Sequence, residues 1–498
     1  MTRALRSPAL LLTALLVLLA TLASAQSTTP LERLPYSGGV LMGRAIRAGR
    51  IHLPSPSERP GPQNLTCSPA PCVFPNVNAS NSSVLANETP VVINPRNANQ
   101  ILTGANDYAC PAIQGFYLSP DGGTTWNRSC LSLLSGASGD GDPGVAFDLN
   151  GVAYATGIDA KSTGNTVIVW SKSTNQGVTW SPVKQAVANF FSGGIADKPW
   201  FEIDTNATSP RKNAQYISVT QFATNNNSTI TVSHSTNAGS TWSSAVAVDA
   251  TQVYPSVDQF SDLAIGKDGT VYVSWMRCTA NGPSGDCGGT TATMYFSKST
   301  DGGSTWTSPK AITTAKLAPD PGFCCFYGSL PNTSERVSNI PVIAIDNSTG
   351  THAGNLYVAY YTWTGTQMKV LVAVSSNGGT TWTKKAVAPS TATHDQFFQW
   401  VNVSRGGQVG VSWDDRRNDP SNINYESFMA VSNNGGGGYG TNVDLSAAPS
   451  NPFNDGFGGF FIGDYTGNAW NGTSSLYVTY TDTTTGIDQD FLVGERLH

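Results

Sequence analysis

The sequence predicts an all-β protein, a β-propeller of four-stranded blades. Three observations carry this. One eight-residue turn pattern recurs five times along the chain. Short β-rich runs, about four to an interval, separate the copies. Gly, Ser, Thr and Asn are abundant, and the long Ala/Leu/Glu/Lys periodicities of helices are missing after the first 25 residues.

From the start of the chain, Arg3 and Arg6 precede an apolar run from Ala9 to Ala20, and Ala23-Ser24-Ala25 offers a small-residue cleavage site. Residues 1–25 therefore read as a secretory signal, and the expected protein is exported. Residues 26–83 form a Pro-, Ser- and Asn-rich extended arm, in which the stretch Gly39 to Ile51 is the candidate for a ring-closing strand. Residues 84–498 are the propeller. No later stretch approaches the roughly 20 apolar residues of a membrane-spanning helix. The net charge of -5 leaves no basic footprint for nucleic acid, so neither partner is expected. A monomer is expected.

Eight cysteines in an exported chain point to disulfides. Their grouping suggests local staples, Cys67 with Cys72, Cys110 with Cys130 and Cys278 with Cys287, beside the adjacent Cys324 and Cys325, although spacing alone does not fix connectivity. Pairs so far apart, without His at ligand spacing, argue against zinc.

The repeated pattern is Ser, any, Asp or Asn, any, Gly, any, Thr, Trp. It runs from Ser119 to Trp126, Ser173 to Trp180, Ser235 to Trp242, Ser299 to Trp306 and Ser375 to Trp382. A sixth copy keeps Ser432, Asn434 and Gly436 but has no Thr-Trp. An Asp or Asn side chain bonds back to nearby amides and Gly supplies a positive φ, so the segment is a tight hairpin between two strands. Thr and Trp begin the next strand, with the indole packing between sheets.

The interval before the fourth copy shows a whole blade: Asp262 to Ile265, Thr270 to Trp275, Thr291 to Phe296 and the strand after Trp306. Innermost strands are expected to begin near Pro90, Pro143, Pro199, Ser261, Pro341, Phe397 and Phe460. That gives seven blades, with six as the alternative. The chain ends one strand short of a full last blade, hence the need for an N-terminal closing strand.

These boxes resemble the Asp-box, or BNR, repeats of the sialidase superfamily, and the resemblance spans Asn87 to the end. It implies a site on the axis at the face away from the boxes. Loops placed there carry Glu88, Asp142, Asp197 with Lys198, Asp258, Glu335 with Arg336, Asp395, Asp159, Arg277, Trp363, the run Asp414 to Arg417, and Asp482; Asp464 and Tyr465 follow the last inner strand. A sialidase holds its substrate carboxylate with three arginines and uses a Tyr nucleophile activated by a Glu, with a separate Asp as proton donor. Where the family has Arg-Ile-Pro on the first blade, this chain reads Glu88-Thr89-Pro90.

The resulting candidates are Asp142, Asp197, Glu335, Asp415 and Tyr465 for catalysis, and Arg277, Arg336, Arg416, Arg417 and Trp363 for substrate binding. Three functions fit, an exo-glycosidase of the sialidase type, a propeller that binds glycan or protein without turnover, or a structural surface protein whose ring is a scaffold. No cofactor motif is present; the ring of acidic residues at the inner strands, if not capping amides, is a candidate for calcium. The dense charges of Asp414 to Asp419 read either as a ligand site or as a self-neutralising loop.

Overall fold

Each copy of the repeated turn is closed by the same two hydrogen bonds in the computed structural model. The Ser Oγ accepts from the Gly amide four residues on, at 2.7 Å for Ser119 and Gly123 and 2.9 Å for Ser375 and Gly379. The Asp or Asn Oδ1 accepts from the amide four residues further, at 2.9 Å for Asp121 and Thr125 and 3.0 Å for Asn377 and Thr381. The sixth copy keeps both bonds, with Gly436 and Gly438 donating at 3.0 Å. Its missing Thr-Trp leaves these two bonds in place because both donors are backbone amides, and removes only the Thr hydroxyl bond to the Asp or Asn side chain that the other five make. Each box also fastens its blade to the one before: Trp180 packs on Phe116 at 5.1 Å and Trp382 on Phe296 at 5.5 Å between ring centroids.

The structure describes residues 33–53, 72–80, 85–282, 285–320, 322 and 325–484, with the backbone of 490–497. The leader expected over residues 1–25, Cys67 and Cys324 lie outside the described residues. Cys110–Cys130 and Cys278–Cys287 are disulfides, and Cys72 and Cys325 are disulfide-bonded as well. Among the described residues no helix is long and apolar enough to cross a membrane.

Seven antiparallel sheets surround the axis. Six are drawn from consecutive strands, with inner strands at Val91–Ile93, Ala137–Phe147, Ile195–Ile203, Ser256–Ile265, Val342–Ile345 and Gln396–Val403. The seventh runs outward from Gly467–Asn471 through Ser475–Asp482 to Asp490–Leu497, where Cys72–Val73 and Val77–Asn78 pair antiparallel and complete it. Gly467–Asn471 lies between the inner strands of the first and sixth blades, so the ring is closed and the last blade has no bare edge.

Two expectations change here. The stretch Gly39 to Ile51 is not the closing strand: Gly38–Arg47 is a helix, α1, and the closing strands come from residues 72–78. Ser37 caps α1, its Oγ accepting from Val40 N, while Arg44 and Arg47 sit in the last turn, where the helix dipole favours cations. The last inner strand begins at Gly467 rather than Phe460. The Asp455 carboxylate gathers the amides of Phe457, Gly459, Phe460 and Phe461 into a turn, which holds that run out of any ladder.

Where the chain enters an inner strand it carries a bulge. Asp142, Lys198, Phe260 and Phe398 have φ between 49° and 64°, each beside a break in register with the second strand. Left-handed backbone at a non-glycine residue is costly and persists where the surrounding structure enforces it. Its effect is to re-aim the neighbouring side chains onto the axis.

Candidate functional site

Three aromatic side chains divide the axis in two. Trp200 and Trp400 pack at 4.6 Å between centroids, and Tyr465 lies 5.8 Å and 6.1 Å from them. On the box side of this partition a cavity of about 1040 Å³ is walled by the inner strands, with Glu202, Asp262, Asn468 and Trp470 on its lining. Burial pushes the Glu202 carboxyl up to about 8.

On the other side the bulged entrances converge on a buried polar cluster. Lys198 Nζ stands 3.2 Å from Glu88 Oε1, 3.7 Å from Asp142 Oδ2 and 3.8 Å from the Tyr465 ring centre. Glu88 Oε1 also accepts from the Asp464 amide at 3.0 Å. Arg336 Nε donates to Asp464 Oδ1 at 2.7 Å. Neither oxygen of Asp142 meets a hydrogen-bond donor. Burial, then the charge of Glu88, raises the Asp142 carboxyl well above the usual range, whereas for Asp464 the cations Arg336 and Lys198 outweigh burial and hold it below. Burial raises Asp197 to about 6. The cluster thus sets a carboxyl raised by burial and by Glu88 beside a carboxylate held down by two cations.

The N-terminal arm covers this cluster. Ser37 N donates to Asp197 Oδ2 and Gly38 N to Asp464 Oδ2, both at 2.7 Å. Arg336 donates to Tyr36 O at 3.0 Å, and Gln259 Nε2 and Tyr327 Oη to Pro35 O at 3.0 Å and 2.8 Å. Further along α1, Arg47 pairs with Asp140, and before it Arg33 pairs with Asp286 and Asp320. Gly38, Gly39 and Gly43 are seated so closely that a Cβ on them meets the Phe461 ring, Asp142 Oδ1 and Asp140 Oδ1 at 1.9, 2.0 and 2.1 Å. Here the absence of a side chain is what lets α1 dock.

Of the residues singled out from sequence, Asp142, Asp197, Arg336 and Tyr465 meet in this cluster, together with Glu88, Lys198 and Asp464. The Tyr465 hydroxyl donates to Pro143 O at 2.9 Å, so its tip is engaged by backbone and its ring forms the partition. The rest are held elsewhere. Arg277 bonds Asp258 at 2.7 Å and also Asp249. Glu335 points away from its neighbour Arg336, and burial with Asp455 beside it raises its carboxyl well above the usual range. Arg416 lies 3.6 Å from Asp395 and donates to Pro331 O at 2.8 Å. Arg417 pairs with Asp415, whose Oδ2 also accepts from Trp413 Nε1 at 2.8 Å. Trp363 ends the second strand of the fifth blade opposite Met368. Four arginines with separate partners make no triad around one pocket. Among the described residues no group of three or more His, Cys, Asp or Glu side chains is placed to hold a metal ion.

No family model and no curated protein matches the sequence. Solved structures match in shape. An ulvan lyase of polysaccharide lyase family 25 aligns over 82% of this chain and 94% of its own at 11% identity, with a TM-score of 0.50. A Penicillium chrysogenum α-L-arabinanase complexed with arabinobiose aligns over 71% and 92% at 13% identity and 0.46. A Hadza microbial sialidase aligns over 80% and 74% at 13% identity and 0.45.

The fold is a β-propeller.

Within this propeller, three participants at the cluster escape a reading by motif. Gln259 is a single residue on a strand with nothing local to mark it, and Tyr327 is marked only by the aromatics around Cys324 and Cys325 in a long connection, which suggest stacking rather than a hydroxyl donor. The cover carries one signal, a Ser N-cap before Val40, Leu41 and Met42 with two basic residues in the last turn. The glycines at 38, 39 and 43 mask it, because Gly is a poor helix former.

Proposed function

We propose that this chain acts on glycans at the axial cluster, as a glycoside hydrolase whose proton donor is Asp142. The observation that supports the reading is the placement of Asp142, buried with no hydrogen-bond donor at either oxygen, in one cluster with the Arg336-bound Asp464. A neutral carboxyl beside a fixed carboxylate is the division of labour that glycosidic bond cleavage uses. Asp142 protonates the leaving-group oxygen as the bond to the anomeric carbon breaks. Asp464 stabilises the positive charge developing on the sugar. Water adds to the anomeric carbon and returns a proton to Asp142, which restores the starting state.

The test is release of fluorophore from a panel of methylumbelliferyl glycosides, neutral pentosides and hexosides with a sialoside, by the purified chain. Asp142→Asn is expected to lower release by about 100-fold or more with the fold intact by circular dichroism. Equal rates for the two chains would remove Asp142 from the reaction. The covering of the cluster by α1 favours one other reading, a propeller that binds glycan at the same place without cleaving it. Binding with no release from any panel member selects that one.

A further inference from the structure

We infer that Pro35–Gly38 occupies the axial subsite as an internal ligand, in the place of a neutral, hydroxyl-rich sugar, and that Gln259 and Tyr327 hold that sugar together with Asp197, Arg336 and Asp464. This rests on the glycan-acting reading and adds to it the charge of the substrate and the gate of the site.

Four consecutive residues satisfy five side chains at once. Two backbone amides reach the carboxylates of Asp197 and Asp464, and two carbonyls receive Arg336, Gln259 and Tyr327. All five side chains are buried. A surface that offers acceptors and donors side by side in this way matches neighbouring hydroxyls, each of which donates once and accepts besides.

The charge balance selects the sugar. Glu88, Asp142, Asp197 and Asp464 face only Lys198 and Arg336, and Glu88 stands where the resemblance to sialidases places an arginine. An anionic sugar is repelled by the surplus carboxylates there, and a neutral one is not. The positive end of the α1 dipole suits the same surroundings, which explains why a helix N-terminus can stand in for the ligand.

The cover fits incompletely. Beneath Gly39 both Asp142 oxygens, and beside Ser37 the Oδ1 of Asp197, have no donor. Buried carboxyls without partners oppose the closed arrangement, and a hydroxylated ligand or water in place of the arm relieves them. The arm is therefore a displaceable occupant, docked on three glycines that any side chain disturbs.

The experiment uses the full-length chain carrying Gly39→Glu, which sets a carboxylate against Asp140 and Asp142. A second chain carries Ser37→Pro, which removes the amide on Asp197 at a φ of -61° that proline accepts. Amide exchange over residues 38–47 is expected to accelerate at least 100-fold in either. Calorimetric affinity for a set of neutral disaccharides (arabinobiose, xylobiose, lactose, mannobiose) is expected to rise at least tenfold over the parent for one member or more. A synthetic peptide of residues 33–47 should displace the sugar, 3′-sialyllactose should not bind, and Gln259→Ala in the opened chain should lose at least tenfold. Release of α1 without any gain in sugar binding overturns the inference, as does preference for sialyllactose or indifference to Gln259→Ala. Tight binding without hydrolysis defeats the hydrolase reading and leaves this one standing. Hydrolysis by the parent chain with α1 still protected does the reverse.

Discussion

Buried acids at the axis make the stability of this propeller depend on pH in a definite direction. Burial lifts Asp197 to about 6 and, against the pull of Arg47, Asp140 to about 7, while an unfolded Asp titrates near ~3.9. Between those values the folded chain keeps protons that the unfolded chain has released. Stability therefore rises as pH falls from 7 towards 4, and the penalty is complete above 7. Asp142 acts in the same sense, whereas Asp464, held low by Arg336, contributes stability above the unfolded value and loses it only in stronger acid. The groups facing Asp197 are Asp142, Lys198, Arg336, Tyr327, Gln259 and the Ser37 amide; those facing Asp140 are Arg47, Arg44 and Asp142. Melting temperature is expected to increase from pH 7.5 to 5, with a shallower slope in Asp197→Asn. A slope of the opposite sign would mean that these acids are ionised in the fold. At this scale the sequence was legible in part: Asp142, Asp197 and Arg336 could be picked out because an acid or a base stood just before an inner strand. Arg277, Arg416 and Arg417 stood instead at the far ends of second strands and pair with carboxylates of their own, a competition that only three-dimensional proximity decides.

The box hairpin is the element whose energetics follow most directly from its residues. In the fifth copy the Ser375 hydroxyl is the partner of a buried amide, so Ser375→Ala is expected to cost about 1–3 kcal/mol. Gly379 combines a φ of +83° with a Cβ position 2.0 Å from the Phe296 ring. Gly379→Val is accordingly expected to cost about 3 kcal/mol or more, read by urea denaturation. If Gly379→Val proves the milder of the two, the turn is held by its hydrogen bonds alone and not by its seat on the preceding blade. The hairpins were readable because everything they need lies within eight residues. The arm was not, because its helix is stabilised by what it docks against. Ser37 and the run Val40 to Met42 argue for a helix and three glycines argue against one, and Asp464, far along the chain, tips the balance through the Gly38 amide.

At the scale of the whole molecule, the order of the blades could be followed from box to box, but their number stayed open between seven and six and the closure of the ring could not be read. Residues 72–78 are a short, proline-flanked stretch whose strand character depends wholly on the partner Asp490–Leu497. Val77→Pro removes a strand amide at this seam and is expected to lower the melting temperature and promote self-association, because the last blade then carries an open edge. Sedimentation velocity reads the second effect, and a monomer of unchanged stability would show that the seam is dispensable.

The seam also sets a schedule. The strand that completes the ring is made among the first residues and its partner among the last, so a chain still being synthesised has nothing for residues 72–78 to pair with. Every blade but the final one can form as it emerges, while the closing strand waits with α1 just ahead of it. The arm can meet Asp140, Asp197 and Gln259 early, but its last partners, Phe461 and Asp464, are made only as the circle nears its final member.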